Sequence, residues 1–411
     1  MLLIRLLEKY GFLLVILFCI GAIQPALYSK ISMMETNLES RVSVKSGSNA
    51  LKQIFWIFLF FFYVYRVAFT RLYKELPADL LKNLGVLLII CFLALISVFW
   101  SDFPSHTLKR AFFQIIFSVT VVLSFYFSYR HGSLRNIVLV TLVCTYVLIL
   151  VSIMLGGGFT PNYSLAGFAK GKNVMGINIA VILVLFHFLR QRYQFKLDYF
   201  NVHLGVLFFL IILTQSKTSI LLVITYFCLI RLNYTLVRSL IGFFFLSLSF
   251  VFVLLPFISS SYGEYITISD FISEDFLTGR GMIWDTLYYD LYFFDKYNLG
   301  YGYGAYFGTP VTPYFFDDPY SFLQFINSPH NGFLDLLLQF GVIFTSLILL
   351  LLMLLFKNIK CLYITSALFL PLVHNITEAS FFKDNTMIWL VFIVAIAASS
   401  LTQKRYGFGK N

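Results

Sequence analysis

Twelve apolar stretches dominate this 411-residue chain: residues 10–27, 51–69, 84–100, 111–128, 136–155, 174–189, 200–214, 218–230, 239–256, 332–356, 361–377 and 385–401. A backbone placed in lipid finds no water for its N–H and C=O groups. Such stretches must therefore be helices, each needing about 20 apolar residues to cross. The alternation of a barrel strand is absent. Composition agrees, with 59% hydrophobic residues, 12% charged residues and a mean hydropathy of +0.85, against about a quarter charged in soluble domains. We expect an all-α polytopic membrane protein of about twelve transmembrane helices. Residues 218–230 are short for a crossing and follow residues 200–214 across only Gln215-Ser216-Lys217.

Lys and Arg in the connecting segments set the orientation. With both termini cytoplasmic, the inner side holds 18 of the 30 basic residues, among them Arg66, Arg130, Arg190, Arg238, Lys357 and Arg405. Only Glu8, Glu75, Asp79 and Asp198 accompany them, for a net +14 inside against −3 outside. Positive charge spread over short inner loops serves membrane insertion, so a nucleic-acid partner is excluded. Three parts follow: residues 1–256 with helices one to nine, 257–330 as an outer loop, and 331–411 with helices ten to twelve and a cytoplasmic tail. Met1 to Ile23 carries a basic residue ahead of an apolar run, as an export signal does. It lacks a small-residue cleavage site near Gln24-Pro25 and reads as an uncleaved first helix. Cys19, Cys91, Cys144, Cys228 and Cys361 all fall in or beside the apolar stretches with no paired ligand spacing, so neither a disulfide framework nor a zinc site is indicated.

The outer segments hold the polar chemistry. Tyr28 to Ala50 reads as solvated linker. Trp100-Ser101-Asp102-Phe103-Pro104, with Lys109-Arg110, fits a turn with an interfacial Trp and snorkelling cations. Gly167-Phe168-Ala169-Lys170-Gly171-Lys172-Asn173 combines glycines that allow close backbone approach with two lysines able to hold phosphate; a flexible solvated loop would look the same. Gln215-Ser216-Lys217-Thr218-Ser219 interrupts two apolar stretches with a cation. A charge at the membrane centre costs about 2.5–3.5 kcal/mol, so a persistent one lines a cavity or pairs with an anion, unless it snorkels from a short turn.

The longest outer loop, about Phe257 to Asn327, holds Glu264, Asp270, Glu274, Asp275, Asp317 and Asp318. Trp284, Leu287, Tyr288 and Leu291 recur at helical spacing, which predicts a helix over 281–294 lying on the membrane surface with Arg280 at its start. Gly300-Tyr301-Gly302-Tyr303-Gly304 suits a tight aromatic turn presenting tyrosines to sugar rings. Ser328 can cap the tenth transmembrane helix with Pro329 at its first position, which puts His330 and Asn331 in the first turn, where the positive helix end keeps imidazole neutral. His374 and Glu378 meet in the last outer turn, as helix caps or as groups that orient a partner. Residue types alone leave a lipid-linked glycan enzyme and a carrier both open.

The ordered set Trp100-Ser101-Asp102-Phe103-Pro104 with Arg110, Gly167-Phe168 with Gly171-Lys172-Asn173, Gln215-Ser216-Lys217-Thr218, Thr278-Gly279-Arg280 with Trp284, Gly300-Tyr301-Gly302-Tyr303-Gly304, and Pro329-His330-Asn331-Gly332 with Gly341 resembles the bacterial O-antigen ligase and Wzy-type O-antigen and exopolysaccharide polymerase family. The resemblance covers about residues 97–390. It implies a GT-C-type glycosyltransferase of the inner membrane, with a large periplasmic loop between helices nine and ten, using no metal, cofactor or nucleotide sugar. The implied donor is a glycan on undecaprenyl pyrophosphate, and the implied acceptor is a hydroxyl of another glycan or of lipid A core. Membrane lipid surrounds the chain, and a chain-length regulator is a further partner the family admits. Arg280 matches the arginine expected on the pyrophosphate, and His330 the histidine expected to activate the acceptor. Lys217 stands where ligases more usually carry arginine, giving a point charge in place of a bidentate fork; the Ser-Lys-Thr and Gly-Lys-Asn forms are closer to the polymerase branch.

The resulting expectation makes His330 and Arg280 catalytic, puts Lys217, Arg280 and Lys172 on the pyrophosphate, and leaves Asn331, Glu378, Trp284 and Arg110 in support. Ligation to lipid A core is the alternative within the enzyme class. A lipid-linked glycan flippase or transporter is the alternative outside it, though the spans show no inverted repeat and the polar groups gather on one face.

Overall fold

The apolar stretches fold as helices wherever the chain is described. The structure, a computed structural model, describes residues 2–26, 50–261, 279–307, 309, 326 and 328–401. The expected linker before Ala50, the acidic residues Glu264, Asp270, Glu274, Asp275, Asp317 and Asp318, and the tail beyond Leu401 lie outside the described residues. In chain order the helices are α1 (Leu2–Cys19), α2 (Ala50–Phe69), α3 (Ala78–Ile96), α4 (Pro104–Arg130), α5 (Leu134–Met154), α6 (Lys172–Tyr193), α7 (Phe200–Thr214) and α8 (Lys217–Leu229). Then α9 (Tyr234–Ser249) runs through a π-helical turn, Phe250–Leu254, into Leu255–Ser261. After it come α10 (Arg280–Phe293), α11 (Gly332–Lys357), α12 (Leu362–Ala367), α13 (Phe369–Thr377) and α14 (Met387–Ser400).

Each expected stretch overlaps a helix or helix pair, and among the described residues seven helices are long and apolar enough to cross a membrane. No strand forms among the described residues. Over the described residues the chain is an all-helical polytopic membrane protein. α4 and α6 form its axis, each with 78% of its apolar window buried, against 17% for α2 at the rim. Small hydroxyl side chains on α4, Ser118, Thr120, Ser124 and Ser128, are all buried and let neighbouring helices approach closely. α1, α2, α3 and α14 pack around α4, while α7, α8 and α14 pack on α6.

α1 covers Leu2–Cys19, not residues 10–27. A hydropathy window discards the turn carrying Arg5, Glu8 and Lys9, but a helix keeps it when its charges are paired. Glu8 is buried against Arg66 at 2.6 Å and His131 at 3.4 Å. The other end stops at Gly21, whose left-handed φ of 83° lets the Ala22 N–H donate to the Leu17 carbonyl.

α7 and α8 form a hairpin along α6. The turn lies against Gly176 near the start of α6, where a Cβ would come within 2.8 Å of Ser216 and Ser219. At the far end His187 of α6 meets the Phe200 ring and the Tyr226 hydroxyl. At 1.5 Å per residue the two arms are only about 22 and 20 Å long, short of a 30 Å hydrocarbon layer. Lys217 and Lys172 therefore share one end of the bundle.

The sequence suggested an unbroken tenth span over 332–356, yet α11 breaks at Gly341 (φ 62°, ψ −178°). The freed groups are taken up by residues 297–302: Tyr301 N–H donates to the Leu338 carbonyl at 2.8 Å, Gly302 N–H to Gln339 at 3.0 Å, and Val342 N–H to the Tyr297 carbonyl at 2.7 Å. Interrupted helix is tolerated at membrane depth only where protein satisfies the backbone in this way.

Candidate active site at the head of the broken helix

Every residue of Pro329-His330-Asn331-Gly332 has a separate structural task. Asn331, fully buried, is the cap of α11: its Oδ1 accepts from the N–H groups of Phe333 and Leu334, both at 2.9 Å, and its Nδ2 donates to the Ile376 carbonyl at 3.3 Å. The expected cap, Ser328, stands three residues too early, so His330 precedes the helix and does not occupy its first turn. Gly332 has no room for a Cβ, which would strike the Asn375 amide of α13. The Pro329 carbonyl accepts from Trp284 Nε1 at 3.0 Å. Between these anchors His330 is held at φ 51°, a left-handed conformation that a non-glycine residue keeps only when its surroundings over-determine it.

That conformation brings the imidazole onto Glu378, at the end of α13. His330 Nδ1 lies 3.0 Å from Glu378 Oε2, and Arg280 donates from its guanidinium to Glu378 Oε1 at 3.1 Å. A carboxylate only accepts, so Nδ1 carries the proton and Nε2 is left as the basic nitrogen. One carboxylate thus orients a base and a cation together. Burial alone would raise the Glu378 carboxyl, but the hydrogen bond from His330 and the charge that ring carries when protonated, then the charge of Arg280, outweigh it and leave it below its ordinary value of 4.5.

The hold of this carboxylate is fully present above its ordinary value and is lost as pH falls through the lowered one. The Tm difference between the protein and its Glu378→Gln variant should therefore be constant above about pH 5 and shrink below about pH 4. Thermal melts across that range check it, and a difference that persists at acid pH counts against an ionised Glu378.

α10 begins at Arg280 behind Gly279 (φ 84°). Its apolar stripe, expected on the membrane surface, instead faces the bundle. Trp284 packs edge-on against Phe252 at 5.3 Å, and Tyr288 donates to the Phe252 carbonyl at 2.8 Å, within the π-helical turn of α9. Tyr289, Tyr292 and Phe293 point outward. Residues 300–304 also turn inward: Tyr303 donates to the Phe382 carbonyl at 2.7 Å, and Tyr301 and Tyr306 donate to Asp290 at 3.2 and 2.6 Å. These buried tyrosines cannot serve as the sugar platform expected for them. Arg110, expected to snorkel, donates to the carbonyls of Gly304 and Phe307 and fastens the same turn.

The structure brings Arg280, His330 and Glu378 into one group, with Asn331 and Trp284 setting its frame. Lys217 stands at the head of α8, exposed and without a hydrogen bond or ion pair among the described residues. α8 packs on α13, and the turn before Lys217 lies against Gly176, two residues from Asn178, which lines one cavity with His374 and Ser380, so Lys217 and Glu378 stand at the same end of the bundle. Lys172 lines a separate cleft of about 400 Å³ with Lys170, Asn162 and Asn173. A second cavity, about 410 Å³, is walled by Phe18, Asn178, His374, Ser380 and Thr386. Sequence reasoning passed over Asn375, whose Oδ1 accepts from Ser380 and Phe381 at 2.7 and 2.8 Å and shapes the turn carrying Glu378. It also passed over Lys383, which lies 3.8 Å from Asp335 and ties that turn to α11. Neither stands in a pattern that marks chemistry.

A polytopic helical bundle with a basic residue, a carboxylate and an imidazole gathered at one end defines a membrane-embedded protein with a built polar site. Residues 202–349 match the family model described as O-Antigen ligase, and over that stretch the chain is similar to the O-antigen ligase and Wzy-type family. The match includes Lys217, Arg280 and His330; Glu378 lies beyond it. No curated protein and no solved structure matches the chain.

Proposed function

We propose that the chain is a polysaccharide polymerase that joins undecaprenyl-pyrophosphate-linked repeat units by metal-independent, inverting glycosyl transfer. The observation that carries this reading is Glu378 holding both Arg280 and His330 in a chain with an O-antigen ligase-type domain. In the step, His330 Nε2 takes the proton of an acceptor sugar hydroxyl as its oxygen bonds to the donor's anomeric carbon. The bond from that carbon to the pyrophosphate oxygen breaks with inversion, and undecaprenyl pyrophosphate leaves with the electron pair. Arg280 meets the charge growing on the leaving group, and Lys217 and Lys172 supply further cations at the same end. Glu378 fixes the imidazole tautomer and aims the guanidinium. Charge asymmetry supports twelve crossings with both termini cytoplasmic and this site facing the periplasm of a bacterial inner membrane.

The matched family's description favours one second reading, ligation of the glycan to lipid A core. Glycan banding in cells separates the two: loss of a polymerase leaves single repeats on the core, and loss of a ligase removes even those. Purified protein incubated with an undecaprenyl-pyrophosphate-linked repeat unit should yield a ladder of longer glycans. A repeat length left unchanged, with and without a core acceptor, would sink both readings in favour of a transporter.

A further inference from the structure

α11, with its break at Gly341, runs 26 residues from the site to Lys357. At that far end α9, α11 and the end of α12 enclose a crevice of about 280 Å³. Its walls are apolar: Phe245 and Phe356 meet edge to face at 5.7 Å, and Met353 and Leu368 line it beside them. Tyr234 donates to the Ile359 carbonyl and pins the start of α9 to the turn after α11. Gly242 faces open space, since a Cβ there would meet nothing within 4 Å. Leu350 and Leu354, also on the wall, are 54% and 46% exposed, so the crevice opens to the bilayer.

Two cations, Arg238 and Lys357, stand in the same wall. Both are exposed and neither has an ion pair among the described residues. The acidic residues assigned to this end are largely engaged elsewhere: Glu8 by Arg66, Glu75 by Arg130 and Asp198 by Arg135. An apolar slot open to lipid, with two uncompensated cations beside it, matches an amphiphile with a phosphate head and an acyl tail.

We infer that this crevice binds an anionic phospholipid, with an acyl chain along Phe245, Phe356 and Gly242 and the headgroup phosphate between Arg238 and Lys357. The site rests on the membrane-spanning fold and is independent of the reaction proposed above. By the inner-loop charge excess, it lies in the cytoplasmic leaflet.

Native mass spectrometry of the full chain tests it, with phosphatidylglycerol, phosphatidylethanolamine and inorganic phosphate as probes. Each cation near the headgroup is worth about fivefold in affinity, so phosphatidylglycerol should be retained at least tenfold over phosphatidylethanolamine. Arg238→Gln combined with Lys357→Gln, two exposed changes that leave packing alone, should erase that preference. Gly242→Leu should fill the slot and lower retention of both lipids while the protein stays monodisperse. Equal retention of the two lipids overturns the site, as does a preference that survives the double charge variant. Complete displacement of phosphatidylglycerol by inorganic phosphate would also overturn it, because the apolar slot would then contribute nothing.

Discussion

His330→Asn is expected to cut glycan polymerisation by about 10²–10⁴-fold, the contribution of a positioned general base, while donor binding persists. Asparagine is the informative replacement because it tolerates positive φ better than most residues. It relieves the backbone demand at φ 51° and removes only the imidazole. The Glu378–Arg280 pair at 3.1 Å stays in place, so the pyrophosphate site should survive. Arg280→Ala should act the other way, weakening donor binding and leaving-group departure together, and Arg280→Lys should recover only part of the loss because a point charge replaces a planar fork. Glu378→Gln keeps an acceptor oxygen for His330 but gives up the charge, so its loss should fall between. Single-turnover rates with saturating lipid-linked donor, beside donor affinities measured without acceptor, separate these effects. A His330→Asn protein within threefold of the wild-type rate would remove His330 from the chemistry.

The helices were legible because lipid and protein interior impose the same demand on a backbone, and apolar runs of sufficient length have one answer to it. For the same reason the sequence could not say which of the two a stripe faces. Trp284, Leu287, Tyr288 and Leu291 mark a helix correctly, yet they bury against the bundle and not in the membrane surface. Their contacts are Phe252 and Pro329, which local spacing does not encode. The cap at α11 was ambiguous in a similar way, since Ser328 and Asn331 are both good caps three residues apart. Asn331 wins because its amide also reaches Ile376, a contact forty-five residues away. Arg280 and His330 were marked by motif order. Their junction through Glu378 depends on α13 meeting the start of α11, which Gly332 and Asn375 permit and no single motif shows.

Gly341→Ala should reduce inserted, folded protein far more than any other glycine-to-alanine change in the spans. The backbone at φ 62°, ψ −178° lies in a region open essentially to glycine alone and costs an L-residue about 1–3 kcal/mol. The added Cβ would also overlap the backbone of Asn298 and Leu299, atoms that cannot rotate aside. Overpacking of that kind adds about 1–3 kcal/mol, so the sum approaches a large share of a typical stability. Relief would require residues 297–302 to withdraw, exposing the carbonyls of Leu338 and Gln339 and the N–H of Val342 where no water replaces them. The damage should reach the site as well, because the same segment connects α10, which carries Arg280, to α11, whose cap positions His330. Gly242→Ala supplies the contrast: the same change in open space should be neutral or stabilising by up to about 1 kcal/mol. Yield of monodisperse protein and Tm for the two variants decide the matter. Equal Tm values would mean that α11 is continuous through residue 341, and that the tie between the two arms of the site must be sought elsewhere.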